Sequence, residues 1–133
     1  MFSRFRRYIF IQGFAVGLVV ILFKIFSDKK VASVFASSAF ALASFLVAYL
    51  EIKKNDFKKH FTFWSTLIFV VCFIGPIIIL RALSWENEFN TAELFGLTGQ
   101  RWHQISNYGF MLMLACYFID SLRESIKKQA LNK

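Results

Sequence analysis

Charge is scarce in this chain, and what there is leans to one sign. Only 18% of the 133 residues are charged, well below the roughly 25% of soluble domains. Lys and Arg outnumber Asp and Glu 16 to 8, a formal net charge of +8. Proline occurs once, at Pro76, and cysteine twice, at Cys72 and Cys116. Both cysteines sit inside apolar runs without CxxC spacing, so neither a zinc site nor a dithiol motif is signalled. Buried, inert thiols are the expectation. The histidines, His60 and His103, fall at opposite ends of the apolar runs and cannot converge on one metal. A nucleophile–base pair, a phosphate loop and paired catalytic carboxylates are also missing. No catalytic residue, cofactor or metal is therefore expected, and the chain does not read as an enzyme. The basic residues carry no nucleic-acid motif.

What the chain has in quantity is apolar surface. Hydrophobic residues make up 57%, eighteen of them phenylalanine, and mean hydropathy is +0.53. A soluble chain of this size cannot bury so much apolar area, whereas a bilayer accepts it without a core. Four runs approach the ~20 residues needed to cross, at about 8–26, 31–50, 61–83 and 103–121. The first is longer than the ~7–15 apolar residues of a signal peptide and reads as a retained span. The fold class is thus all-α: one polytopic domain over 1–133, with four transmembrane helices in an antiparallel bundle.

The polar break Glu51–His60 orients the whole. It carries Lys53, Lys54, Lys58 and Lys59, and cytoplasmic loops hold the excess of Lys and Arg. With 51–60 and both termini inside, eleven of the sixteen basic residues lie on the inner side. That pattern fits a bacterial inner membrane. Ser27–Lys30 is a short connector, which makes its flanking helices antiparallel neighbours. Lys24, Glu51, Arg81 and Asp120 fall near span ends and none in mid-span. A proton-coupled transporter with a mid-membrane carboxylate is disfavoured, as is a pore selected by charged rings.

The outer segment, 84–102, is the longest polar stretch. Trp85, Phe89, Ala92 and Phe95 follow at helical steps, which predicts a short interfacial helix with Trp85 and Trp102 at headgroup depth. Glu93, Arg101 and His103, with Gln100, form the best polar cluster for a headgroup or partner contact.

Within the spans, Gly13 and Gly17 form GxxxG, and Ser33, Ser37, Ala41, Ser44 and Ala48 make a stripe of small residues. Small residues let helices approach closely where lipid supplies no hydrophobic drive. The stripe is expected to pack against the Gly13/Gly17 face or another subunit. Gln12 needs a partner in lipid, expected on a neighbouring helix of the same molecule. Gly75-Pro76 predicts a helix kink.

The stretch Gln12-Gly13-Phe14-Ala15-Val16-Gly17 resembles part of one helix in hypoxia-induced respiratory proteins. Those proteins have two spans and this chain four, so no residues are carried over. In outline the chain is also similar to lipid-linked sugar flippase candidates of the GtrA type and to assembly factors of ATP synthase.

These features lead to an expectation of function by association: an accessory, assembly or oligomer-forming subunit of a membrane complex. Its expected partners are lipids and either a protein partner or further copies of itself, with no nucleic acid. The alternative is an oligomeric carrier or pore for a lipid, lipid-linked or small hydrophobic substrate.

Overall fold

The computed structural model describes residues 3–133. Four helices dominate: α1 (Ser3–Ile25), α2 (Lys29–Ile52), α3 (Phe61–Leu83) and α4 (Gly99–Leu131), each long and apolar enough to cross a membrane. Asp28 opens α2 by accepting from the Lys30 amide at 2.9 Å, and Thr98 opens α4 by accepting from Arg101 N at 3.3 Å. Both are side-chain caps that satisfy a first-turn donor. A single 3₁₀ turn, Phe57–Lys59, lies between α2 and α3.

Side-chain pairs give the packing. Gln12 meets Ser44 and Tyr8 meets Glu51, so numbers fall along α2 as they rise along α1. Thr62 meets Asp120 while Phe69 meets Phe110, the same relation between α3 and α4. Glu51 reaches His60 across the α2–α3 connection, and Tyr8 packs on Tyr117 of α4 at 5.7 Å. The helices thus form an up-down-up-down ring, an antiparallel four-helix bundle.

The distribution of polarity is inverted relative to a soluble bundle. Phe10 is 74% exposed, Phe14 68% and Leu42 69%, whereas Gln12, Ser44, Glu51, Thr62, Thr66 and Asp120 are all buried to 2% or less. Apolar side chains outward and hydrogen-bonding groups inward is the arrangement a hydrocarbon solvent imposes, since an unpaired polar group there costs several kcal/mol. The protein is an integral membrane protein by this pattern as well as by span length. Cys72 is exposed rather than buried, and Cys116 is partly so; both are free.

The break expected at Gly75-Pro76 takes the form of a π turn. Residues Val70–Ile74 carry one extra residue in the helical turn, and Gly75 N donates to Val70 O. Pro76 has no amide hydrogen and its ring opposes the carbonyl four residues earlier. A wider turn just before it absorbs that conflict.

The expected interfacial helix is not formed. After α3, turns lead to a hairpin of β1 (Glu93–Leu94) and β2 (Leu97–Thr98), antiparallel with Leu94 opposite Leu97. Phe95 and Gly96 have φ of 53° and 77°, both left-handed as a tight two-residue hairpin turn requires. No helix continues through two such residues. The hairpin is tied down by Trp102, whose indole N–H donates to Leu94 O at 3.0 Å, and by Gly99 N, which donates to Ala92 O at 2.8 Å. A Cβ on Gly99 would come within 1.9 Å of Phe89 O, so glycine is required there. Trp102 is therefore buried with Ile77 and Leu80.

Candidate functional site

The two ends of the bundle handle buried charge differently. At the end holding the termini, Glu51 is the centre. The sequence places it in a polar connector, yet it lies in the last turn of α2 and is fully buried. Its Oε2 accepts from Arg4 Nη2 at 2.5 Å and lies 3.1 Å from His60 Nδ1. Its Oε1 accepts from the Tyr8 hydroxyl and from Lys54 Nζ at 2.9 Å. Arg4 also lies 3.5 Å from Glu124 of α4. One carboxylate thus gathers α1, α2, the connector and, through Arg4, α4. Charge-assisted bonds of this kind are the strong ones.

One level further in, Gln12 Nε2 donates to Ser44 Oγ at 3.3 Å and to the Tyr117 hydroxyl at 3.4 Å. This is the intramolecular partnership expected for Gln12. Tyr117 also pairs with Thr66 Oγ1 at 2.8 Å. Asp120 Oδ2 accepts from Thr62 N at 2.6 Å. Asp120 thus caps the start of α3 from a neighbouring helix, a role the local sequence around it does not announce.

Above this polar layer sits an aromatic one. Phe110 packs on Phe40 at 5.5 Å and on Phe69 at 5.7 Å, with Val47 and Met113 buried alongside. Beyond it, toward the hairpin, the four helices enclose a cavity of about 320 Å³. Its wall includes Val16, Val19 and Phe23 of α1, Ser33, Ala36 and Ser37 of α2, Ile74, Ile77 and Arg81 of α3, and His103, Ser106 and Asn107 of α4. The same three aromatics, Phe40, Phe69 and Phe110, form its floor. Among the described residues, ring–ring and ion-pair contacts between α1 and α4 lie at the terminus end: Phe5 with Phe118, Tyr8 with Tyr117, Arg4 with Glu124. At the hairpin end the cavity stands between these two helices, and Val16, His103 and Asn107 on its flanks are exposed.

The wall is less polar than its residue types suggest. Ser33 Oγ donates to Lys29 O at 2.8 Å, Ser37 Oγ to Ser33 O at 2.9 Å and Ser106 Oγ to His103 O at 2.8 Å. Each hydroxyl is returned to its own helix. Arg81 is the exception. Its guanidinium stacks over the Phe89 ring at 3.8 Å, its Nε is buried without a hydrogen-bond partner, and among the described residues it forms no ion pair. Glu88, on the same mouth, is exposed and does not pair with it.

The residues singled out by sequence are scattered relative to these features. Ser33 and Ser44 are buried, while Ser37, Ala41 and Ala48 are half-buried along the same face of α2. Gly13 and Gly17 are exposed, and a Cβ at either would meet nothing within 4 Å. They make no close approach within the protomer. Pro76 is buried and Gly75 half-buried. Trp85, Glu93, Arg101 and His103 are exposed. Of that outer cluster, His103 alone lines the cavity, and its cationic companion there is Arg81, not Arg101. Arg81 reads in sequence as a boundary anchor. The signal that finds it is spacing: Ile74, Ile77 and Arg81 recur at three and four, which places the arginine on the inward face of α3. Among the described residues no cluster of metal-ligating side chains occurs.

Comparison with protein-family models, with curated proteins and with solved structures finds no match to this chain.

Proposed function

We propose that the protein acts by association within the membrane, as an accessory, assembly or oligomer-forming subunit. The observation that carries this reading is the apolar surface that α1 and α2 leave open, in a groove between them and, elsewhere on α1, at Gly13 and Gly17. Phe10, Phe14 and Leu18 of α1 and Leu42 and Leu46 of α2 border the open groove, of about 480 Å³. Gly13 and Gly17 stand on the exposed side of α1 with no neighbour. Small residues left open to lipid allow a further helix to approach to backbone distance. The positive-inside pattern supports placing the termini end in the cytoplasm, in a bacterial inner membrane.

Extraction in mild detergent followed by native mass measurement tests it. A dimer or larger homo-oligomer, or a stoichiometric partner, is expected. Gly13→Leu combined with Gly17→Leu should dissolve the assembly and leave the helical content unchanged. A monomer without partners would overturn the reading.

A second reading, carriage of a lipid or lipid-linked substrate, is supported in a narrowed form by the cavity. The Glu51 network and the aromatic layer close the bundle on one side of it, so the geometry favours holding a ligand over passing one through.

A further inference from the structure

We infer that the cavity beneath the hairpin is a binding site for an anionic membrane phospholipid, with the headgroup phosphate on Arg81 and one acyl chain between the helices. This inference rests on the narrowed binding reading above and is independent of the association reading.

Three observations carry it. The first is the cavity itself. At about 320 Å³ it is at the small end of the ~300–1,000 Å³ of ligand sites, enough for part of a chain and not for a bulky ring system. Its hydroxyls are committed to their own helices, so it presents mainly hydrocarbon surface.

The second is the unpaired cation at its rim. A partly buried guanidinium is held against the Phe89 ring, and its Nε finds no acceptor. Buried charges are normally paired. Near a span end an arginine ordinarily turns outward to the interface, whereas Arg81 lines the cavity inside the bundle. The planar, forked guanidinium matches a phosphate in two parallel bonds, which a carbonyl or hydroxyl cannot offer. Lys30 lies along the adjoining mouth and adds positive charge, Glu86 and Glu88 there oppose it, and His103 adds ring nitrogens to the rim.

The third is the route in. The cavity separates α1 from α4 in the half of the bundle where, among the described residues, they make no ring or ionic contact, and its flanking residues Val16, His103 and Asn107 are exposed. In a membrane protein that seam faces lipid. A chain can therefore enter sideways while its phosphate stays at the level of Arg81, the last turn of α3. A soluble phosphate compound would satisfy Arg81 and leave the apolar wall empty.

The experiment uses the full chain purified in a non-ionic detergent and titrated separately with phosphatidylglycerol, phosphatidylcholine and inorganic phosphate. Bound lipid is counted by native mass spectrometry. One phosphatidylglycerol per protomer is expected, at least tenfold tighter than phosphatidylcholine. Inorganic phosphate, even at a large excess, should displace little of it. Arg81→Gln should remove the preference for the anionic lipid. Glu88→Gln should strengthen binding by a few-fold. Because Arg81→Gln could alter the fold, Ser37→Phe provides a second variant. It keeps the arginine, fills the cavity and should abolish the bound lipid with helical content unchanged. Equal retention of both lipids in the parent protein would overturn the proposal. So would undiminished binding in Ser37→Phe, or inorganic phosphate binding as tightly as the lipid. Oligomeric mass, read in the same spectra, reports separately on the association reading.

Discussion

Glu51 and Arg81 are each a charge withdrawn from water near the end of a helix, and they are treated in opposite ways. Glu51 is enclosed by Arg4, Lys54, His60 and Tyr8. Arg81 has an aromatic ring below it, an open cavity beside it and no counter-ion among the described residues. A carboxylate with every oxygen occupied can fasten helices together, and it has nothing left with which to bind a ligand. A guanidinium with a vacant donor and only an aromatic ring against it keeps the capacity to bind an anion. The buried charge that looks better organised is thus the structural one.

The comparison can be broken most severely at Glu51. Glu51→Ala leaves Lys54 without its acidic partner and Arg4 with only the more distant Glu124, and orphaning one side of a buried pair costs about 3–5 kcal/mol. Lys54 retains access to water, so the lower end, about 3 kcal/mol, is expected in reversible unfolding from mixed micelles. A loss below about 1 kcal/mol would mean that the cluster does not hold the bundle.

Asp120 comes next. Asp120→Ala removes the cross-helix acceptor for Thr62 N, and loss of a capping acceptor costs about 1–2 kcal/mol. Asp120→Asn keeps an acceptor and should lose less than half of that in the same assay. Equal losses for the two variants would shift the role of Asp120 from capping to its charge, which lies 3.8 Å from Arg123.

Gly109 tests the packing between the two charged regions. A Cβ there would lie 3.1 Å from the Phe73 ring, tight enough that the ring must move. Gly109→Ala should cost about 1 kcal/mol net of the helix propensity it gains. Gly13→Ala meets nothing and should stabilise the isolated protomer by up to about 1 kcal/mol.

Arg81 gives the smallest effect and the sharpest contrast. Arg81→Gln removes a desolvated charge that has no counter-ion among the described residues and loses its stacking on Phe89, worth about 0.5–1 kcal/mol; the two effects oppose each other, so the lipid-free protein should unfold within a few degrees of the parent. A drop of several degrees would place Arg81 with Glu51 as a fastener.

The sequence is legible where periodicity and span length decide the outcome. Four apolar runs become four helices, Gln12 finds partners on two of them, and Pro76 disturbs α3. It is illegible where the deciding partner is far along the chain. Glu51 stands among lysines and asparagine and reads as a wet connector; its burial depends on Arg4, 47 residues away. Asp120 reads as the end of a span because the backbone amide it caps belongs to Thr62. The outer segment misleads for a different reason. Trp85, Phe89, Ala92 and Phe95 keep helical spacing, but Gly96 permits a reverse turn there, and the indole of Trp102 rewards it with a hydrogen bond. A local preference yields to a bond made from another element.

The π turn in α3 has a consequence for how this protein tolerates change in length. A helix advances about 100° per residue, so the extra residue in Val70–Ile74 sets the angular position of everything after it, including Ile77, Leu80 and Arg81. Deleting any one residue of that turn would remove the extra residue and swing the arginine about a quarter of the way round, off the cavity and toward lipid, while Pro76 would again oppose the carbonyl before it. The composition would scarcely change and the span would still cross. The turn works as a vernier, fixing which way the second half of the helix faces, and indels there should be far less tolerated than substitutions.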